Sequence, residues 1–317
     1  MFVKGLADHK PYYDCKVVDE ICSCFVGMMK SIRFKILLLC LFCIGSDICV
    51  AANQTLVMGV FPRRNSVATV KMFTPLTRYL SEEIGVQVKL ETAKNFPTFW
   101  KKVTDLRYDI VHYNQLHYLL SHDESGYEVF AKNEEFGSST LRSSLVIRKD
   151  SGIESIEDLR GKKIIFGGGK RAMIAYVGVK LMLMKHGLFE SDYTTILARN
   201  PPNSSLAVFF KKAEAGGVGD IALTVPAVRK RVNSNELTYL KSAYSQPHMP
   251  WAFNSKIDLE TRKKIRLAFV KLNNTTTGKD TLRMAGMTGV LPAKDGDFES
   301  SRKIYRAYKE LLKKSNE

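Results

Sequence analysis

Gly167-Gly168-Gly169-Lys170-Arg171 is the segment of this chain whose residue types and order most suggest ligand chemistry. The glycines permit a tight turn and a close backbone approach to a bound molecule. A helix beginning near Ala172 would present unpaired N–H groups above that turn. Lys170 and Arg171 then stand where the helix macrodipole disfavours cations, by roughly 0.3–1 kcal/mol each. A bound anion would offset that cost, which makes Gly168, Gly169, Lys170 and Arg171 a candidate anion site. The plainer alternative is a glycine turn carrying two solvated cations.

Three further loops carry polar groups of the same kind. Pro62-Arg63-Arg64-Asn65 follows an apolar strand, and Asn95-Phe96 opens a helix. His112-Tyr113-Asn114-Gln115, with His117 and Tyr118 just beyond, follows another strand. In this reading Arg63 and Arg64 add charge, Asn114, His117 and Tyr118 orient a ligand, and Phe96 gives it an apolar wall. His112 either caps its strand or lines the same cleft. Trp251 is assigned to the core, and His122 and His186 to the surface.

His112, His117 and His122 recur every five residues. On a helix such positions point about 140° apart, so they share no metal-binding face. No His-Glu-x-x-His, Gly-x-Ser-x-Gly or P-loop pattern occurs. The chain therefore reads as non-catalytic, with no cofactor and no resident metal, although a metal-dependent anion binder stays open as an alternative.

Strand and helix signals alternate along the chain. Strands are predicted at 56–61, 86–91, 108–113, 141–148, 162–166, 193–198, 220–224, 237–243 and 251–254. Helices are predicted at 66–84, 96–106, 115–122, 172–186, 206–215, 259–272, 279–285 and 300–313. Ser155 and Asp158 look like a helix-start box. Such alternation implies α/β architecture with helices on both faces of parallel sheets. Ligands of such sheets sit beyond the carboxyl ends of the strands, where the four loops above lie.

The chain has 317 residues and a formal net charge of +16. Lys30, Arg33 and Lys35, the apolar run 36–44 and the small residues Val50-Ala51-Ala52 read as a secretory signal peptide cleaved after Ala52. Residues 1–27 then read as an over-extended start and 28–52 as the signal peptide. All six cysteines precede residue 53, so the mature chain has neither disulfide nor thiol chemistry. Without its six basic and five acidic residues, the remainder keeps 42 and 27, about +15. Those basic residues are dispersed and form no polybasic run, which argues against nucleic acid as a partner.

GVFPRRN, PLTRYLSEEIGVQVKL, YDIVHYNQLHY, IRKDSGIESIEDLRGKKIIFGG, AEAGGVGDIAL and TGKDTLRMAGMTGV together resemble the PhnD-like phosphate/phosphite/phosphonate substrate-binding proteins of ABC transporters, from Leu56 to about Tyr308. The resemblance implies a two-lobed type II periplasmic-binding architecture, each lobe a mostly parallel sheet flanked by helices, with the ligand cleft between. Lobe one would comprise 53–143 plus 248–317 and lobe two 144–247, with crossings near 143–146 and 245–250. It further implies a periplasmic monomer that captures a small anionic ligand by hinge closure and hands it to an ABC permease in the inner membrane. A sensor feeding a membrane signalling partner is the alternative. The chain departs from the family at its ligand residues. A Ser-Thr-Ser run corresponds to Arg171-Ala172-Met173, a Gly-Pro-x-x-Tyr to Asn114–Tyr118 with only the tyrosine kept, and a histidine to the neighbourhood of Asn203-Ser204. Asp220 matches the acidic position of the family's Gly-x-x-Asp strand, which the resemblance makes either a strand-start cap or a ligand contact.

Overall fold

The computed structural model describes residues 55–315, so the expected leader and over-extended start lie outside the described residues. Eleven strands run in chain order: β1 (Leu56–Val60), β2 (Val88–Glu91), β3 (Ile110–His112), β4 (Glu128–Glu134), β5 (Thr140–Arg148) and β6 (Lys163–Gly167). They continue with β7 (Thr194–Ala198), β8 (Ala215–Gly219), β9 (Leu237–Pro247), β10 (Pro250–Phe253) and β11 (Gly289–Pro292). The helices are α1 (Ser66–Ile84), α2 (Phe96–Thr104), α3 (Gln115–Ser125), α4 (Gly178–Lys185) and α5 (Pro201–Phe209). After them come α6 (Pro226–Arg229), α7 (Leu259–Asn274), α8 (Thr276–Ala285) and α9 (Glu299–Lys314).

Two sheets result, in the orders β11-β4-β10-β3-β1-β2 and β7-β6-β8-β5-β9. β1 pairs in parallel with β2 and β3, and β6 with β7 and β8; β5 and β10 run antiparallel to their neighbours. Each sheet is covered on both faces, because its strands alternate apolar side chains into two clusters. Met58, Phe73, Leu76 and Trp251 pack on one face of the first sheet, and Phe99, Tyr108, Val111 and Tyr127 on the other. α1 shows why such helices form. Phe73, Leu76, Leu80 and Ile84 make a buried stripe at helical spacing, Asn65 caps the start, and Gly85 at φ +76° ends it.

In the second lobe β6 turns through Gly168 and Gly169, both at positive φ, into a five-residue π turn, Met173–Val177, that leads into α4. The glycine-rich β8 lets that turn lie close on the sheet: a Cβ on Gly217 would stand 2.3 Å from the Ala175 carbonyl oxygen. β8 was expected at 220–224, where the sequence is more apolar; it lies five residues earlier. The helix expected at 206–215 likewise begins at Pro201, behind its Asn200 cap.

The chain passes between lobes three times. The first passage, 135–139, precedes the expected one at 143–146, because Ser143 and Val146 already pair with β8 inside the second sheet. The second is His248-Met249, held alongside the first: His248 N–H donates to the Ser139 carbonyl, and Asn133 N–H of β4 donates to the Met249 carbonyl. The third follows β11. α9 was expected in lobe one with the rest of 248–317. Instead Ile304, Tyr305, Tyr308 and Leu311 pack into the lobe-two cluster with Tyr176 and Val179, and α3 touches α9 from lobe one. An amphipathic helix settles where its apolar stripe finds an uncovered face, and α4 with β9 offers one. No helix among the described residues is long and apolar enough to cross a membrane.

Candidate functional site

The cleft is rimmed by helix starts. β1, β2, β3 and β7 each run into a helix that starts beside the gap between lobes, and an asparagine caps every one; the first two residues of α5 are prolines and offer no N–H. Asn65, Asn95, Asn114 and Asn200 accept from Ala68 N, Thr98 N, His117 N and Asn203 N at 2.8–3.1 Å. None of the four helices has an acidic residue in its first turn, so their positive ends stay uncompensated. The π turn of lobe two has no side-chain cap at Ala172.

Between the lobes lies a cleft of about 440 Å³. Four arginines (Arg63, Arg64, Arg199 and Arg231) and one carboxylate, Glu135, line it; Phe96 and Asn114 contribute from lobe one, and Gly168, Ala172, Met173 and Ile174 from lobe two. Arg63 grips Glu135 with both arms of its guanidinium, each at 3.2 Å. Burial alone would raise the Glu135 pKa, but Arg63, His248 and His112 hold it down to about 2. Arg64 stays exposed at the mouth; crowding of its guanidinium by protein and repulsion from Arg63 lower its pKa without discharging it.

Behind Arg63 the polar groups are ordered from the core outward. The Trp251 indole N–H donates to Asn133 Oδ1 at 2.7 Å, which turns Asn133 Nδ2 toward Glu135 at 3.3 Å and His112 Nε2 at 3.5 Å. His112 Nδ1–H donates to the Pro250 carbonyl at 3.1 Å, and its ring stacks on Trp251 at 4.2 Å. Burial pushes its pKa down to about 3. His248 Nδ1 accepts from Met249 N at 2.9 Å, leaving Nε2–H 3.9 Å from Glu135; burial lowers this pKa to about 4 although Glu135 pulls it up. Glu135 of the first passage thus lies beside His248 of the second, whose Nε2–H has no hydrogen-bond partner.

His117 is held differently. Asn114 Oδ1 caps the His117 backbone N–H, so its Nδ2 must be the atom 2.8 Å from His117 Nδ1. An amide nitrogen only donates, so Nδ1 accepts and the ring hydrogen is on Nε2. The ring is fully buried, stacked on Phe96 at 5.8 Å and tilted against Trp100 at 5.3 Å. Burial first, and the Arg171 charge second, push its pKa down to about 3. Arg171 reaches across from lobe two and sits 5.1 Å from the centre of the Trp100 ring.

The residues expected to bind ligand therefore separate. Arg63, Arg64, Phe96, Asn114 and Gly168 meet in the main cleft. His117, Gly169, Lys170 and Arg171 border an adjoining recess that shares Phe96 and Gly168 with it. Three lie elsewhere. His112 belongs to the layer beneath the cleft floor. Tyr118 is fully buried and its hydroxyl donates to Asp295 at 2.6 Å, so it anchors the third passage instead of touching ligand. Asp220 accepts from Arg142 N at 3.0 Å and pins the end of β8 to β5, the capping role. Sequence reasoning missed Glu135, Met249, Arg199, Asn200 and Arg231. Asn200-Pro201-Pro202 was a readable helix start, an asparagine cap followed by proline; Glu135 had no local signal.

His112, His117 and His122 point to Pro250, Asn114 and Tyr127 respectively, and among the described residues no cluster of three or more His, Cys, Asp or Glu could hold a metal ion.

Two mixed sheets, a cleft between them and paired crossing segments define a bilobal capture protein of the type II periplasmic-binding fold. The fold matches a binding protein component of an ABC phosphonate transporter from Pseudomonas aeruginosa with a TM-score of 0.72, at 17% identity over 81% of this chain and 87% of that one. It matches PhnD1 from Prochlorococcus marinus in complex with methylphosphonate at 0.70, with 14% identity over 80% and 98%. A Xanthomonas citri protein bound to chloride matches at 0.71, with 14% identity over 82% and 99%. The family model for the periplasmic substrate-binding protein of phosphonate ABC transporters matches residues 58–298, and the chain belongs to that family.

Proposed function

We propose that this chain is the periplasmic receptor of an ABC importer and captures a small organic anion, phosphonate or phosphate in type, by closure of its two lobes. It acts by capture and not by catalysis, as a monomer that presents its closed form to a permease in the inner membrane after loss of its leader. The reading rests on charge. Four arginines converge on a cleft with one carboxylate, and among the described residues Arg64, Arg199 and Arg231 have no ion-pair partner within 4 Å. Four helix starts without first-turn acids add to the same field. Methylphosphonate bound to PhnD1 supports the phosphorus class.

Thermal unfolding of unliganded residues 53–317 against phosphate, phosphite, phosphonates, sulfonates and carboxylates tests it. A ligand at 100 times its dissociation constant stabilises by about 2.7 kcal/mol, which raises the midpoint by roughly 5–11 °C at this size. A response to phosphorus oxyanions is the expected result. A response to none of these anions would overturn the reading.

A further inference from the structure

The recess beside the cleft has features that the capture of a single small anion does not use. It has a volume of about 820 Å³ and is open to solvent, and it joins the main cleft across Phe96, Gly168 and Arg199. Lys94, Lys170, Arg171 and Arg199 line it, and among the described residues none of the four has a carboxylate within ion-pair distance. Asp105 is the carboxylate on its wall and is engaged with Lys101 at 2.7 Å. Solvated cations alone would be an ordinary charged surface.

His117 makes it more than that. Its Nδ1 is occupied by Asn114 and its ring is enclosed by Phe96 and Trp100, so Nε2–H is a donor fixed in position. That atom is buried and has no hydrogen-bond partner, although His117 borders the recess. A buried donor left unmet carries a desolvation penalty that nothing in the protein offsets. The chain bears that cost at a place where four unpaired cations gather.

We infer that the recess is a second anion subsite, in which His117 Nε2–H and Arg171, with Lys94, Lys170 and Arg199 around them, receive an acidic group of a ligand whose phosphonate or phosphate lies in the main cleft. The ligand class is thus an organic molecule with two acidic groups, a phosphonate carrying a carboxylate or a second phosphoryl group. Arg171 leaves or shares the Trp100 face when that group arrives. This rests on the anion-capture reading above.

Calorimetric titration with 3-phosphonopropionate and with propylphosphonate separates the two ideas, because the pair differ in the second acidic group on a similar chain. The expected result is at least tenfold tighter binding of 3-phosphonopropionate. His117→Phe keeps the ring stack, removes the donor and changes no charge at neutral pH, so it is expected to bring that ratio within about twofold. A general positive field would leave the ratio intact in this variant. Arg171→Gln, at an exposed position, is expected to collapse the ratio too and decides the matter if His117→Phe does not fold. Equal affinities in the unaltered protein would overturn the second subsite and leave the capture reading standing. Retention of the ratio in Arg171→Gln, or in a folded His117→Phe protein, would overturn it likewise. Binding of neither compound would overturn the second subsite, while the capture reading stands or falls with the wider anion screen above.

Discussion

Arg63 and Glu135 are joined by a forked ion pair, 3.2 Å along each arm, where the first passage between lobes leaves the β4 strand. Arg63 is one of two adjacent arginines, yet the two do different things. Arg63 neutralises a carboxylate that is 3% exposed, while Arg64 faces the mouth of the cleft without such a partner. Removing Arg63 leaves a buried, unpaired charge.

Arg63→Ala is therefore expected to destabilise the fold by about 3 kcal/mol, and Arg64→Ala by less than about 0.5 kcal/mol. Anion affinity responds in the opposite order of purity. Arg64→Ala is expected to weaken binding about tenfold, near 1.4 kcal/mol, with stability unchanged. Denaturant unfolding and calorimetric titration of the two variants check this. Equal stability losses would show that Glu135 does not depend on Arg63.

Acid is expected to weaken the fold below neutrality. His112, His117 and His248 have native pKa values lowered to about 3, 3 and 4, against an ordinary value of 6.5. Between pH 6.5 and about 4 the unfolded chain binds more protons than the folded one, so stability falls as pH falls. Each histidine contributes up to about 1.4 kcal/mol per pH unit in that window. Glu135, lowered to about 2, adds the same sign below pH 4.5. Unfolding free energies measured at pH 7, 6 and 5 would refute this if they stayed level.

Asn114 governs His117 through both ends of its amide. Asn114→Ala is expected to cost about 1 kcal/mol from the lost cap. Asn114→Asp keeps an oxygen for the cap but places an acceptor where Nδ2 donated, so the ring must carry its proton on Nδ1. The His117 pKa is then expected to rise, and the proton to move between nitrogens, in a nitrogen-15 NMR titration of the imidazoles. An unmoved signal would mean that the amide orientation is not what sets the tautomer.

Gly217 and Gly178 mark where the π turn and α4 lie against β8 and β5. A Cβ at Gly217 would meet a backbone carbonyl at 2.3 Å, and one at Gly178 would meet Ser143 Oγ at 2.0 Å. At Gly178 the Ser143 hydroxyl can rotate away, which leaves Ser143 Cβ at 2.8 Å, a milder clash than a backbone carbonyl at 2.3 Å. Gly217→Ala is expected to cost about 2–3 kcal/mol and Gly178→Ala less. Thermal midpoints of the two proteins give the comparison, and a larger loss at Gly178 would contradict the packing described.

The α/β character and the position of the cleft were readable because caps, glycine stops and apolar periodicity are local. α1 runs over its predicted span because Asn65, the apolar stripe and Gly85 all agree. β4 was missed because Glu128–Glu134 carries charged residues at both ends and in its middle and alternates weakly, and β11 because Gly289–Pro292 has only four residues. β8 was misplaced because AGGVG reads as a turn until the π turn lying on it is known. Tyr118 looked like a ligand residue through its neighbours in sequence, whereas its partner Asp295 is 177 residues away. Glu135 and Arg63, separated by 72 positions, are connected by nothing that either loop announces.

The third passage between lobes has a practical corollary. An odd number of crossings puts β1 and α9 on opposite bodies, with Ile304, Tyr308 and Leu311 seating α9 against lobe two. The separation between the first strand and the last helix is therefore a built-in ruler for the swing of the lobes. A fluorophore pair placed on exposed positions of α1 and of the far end of α9 would read opening and closing directly, with no probe inside the cleft. The same geometry means that any body attached beyond α9 travels with lobe two and adds drag to the swing.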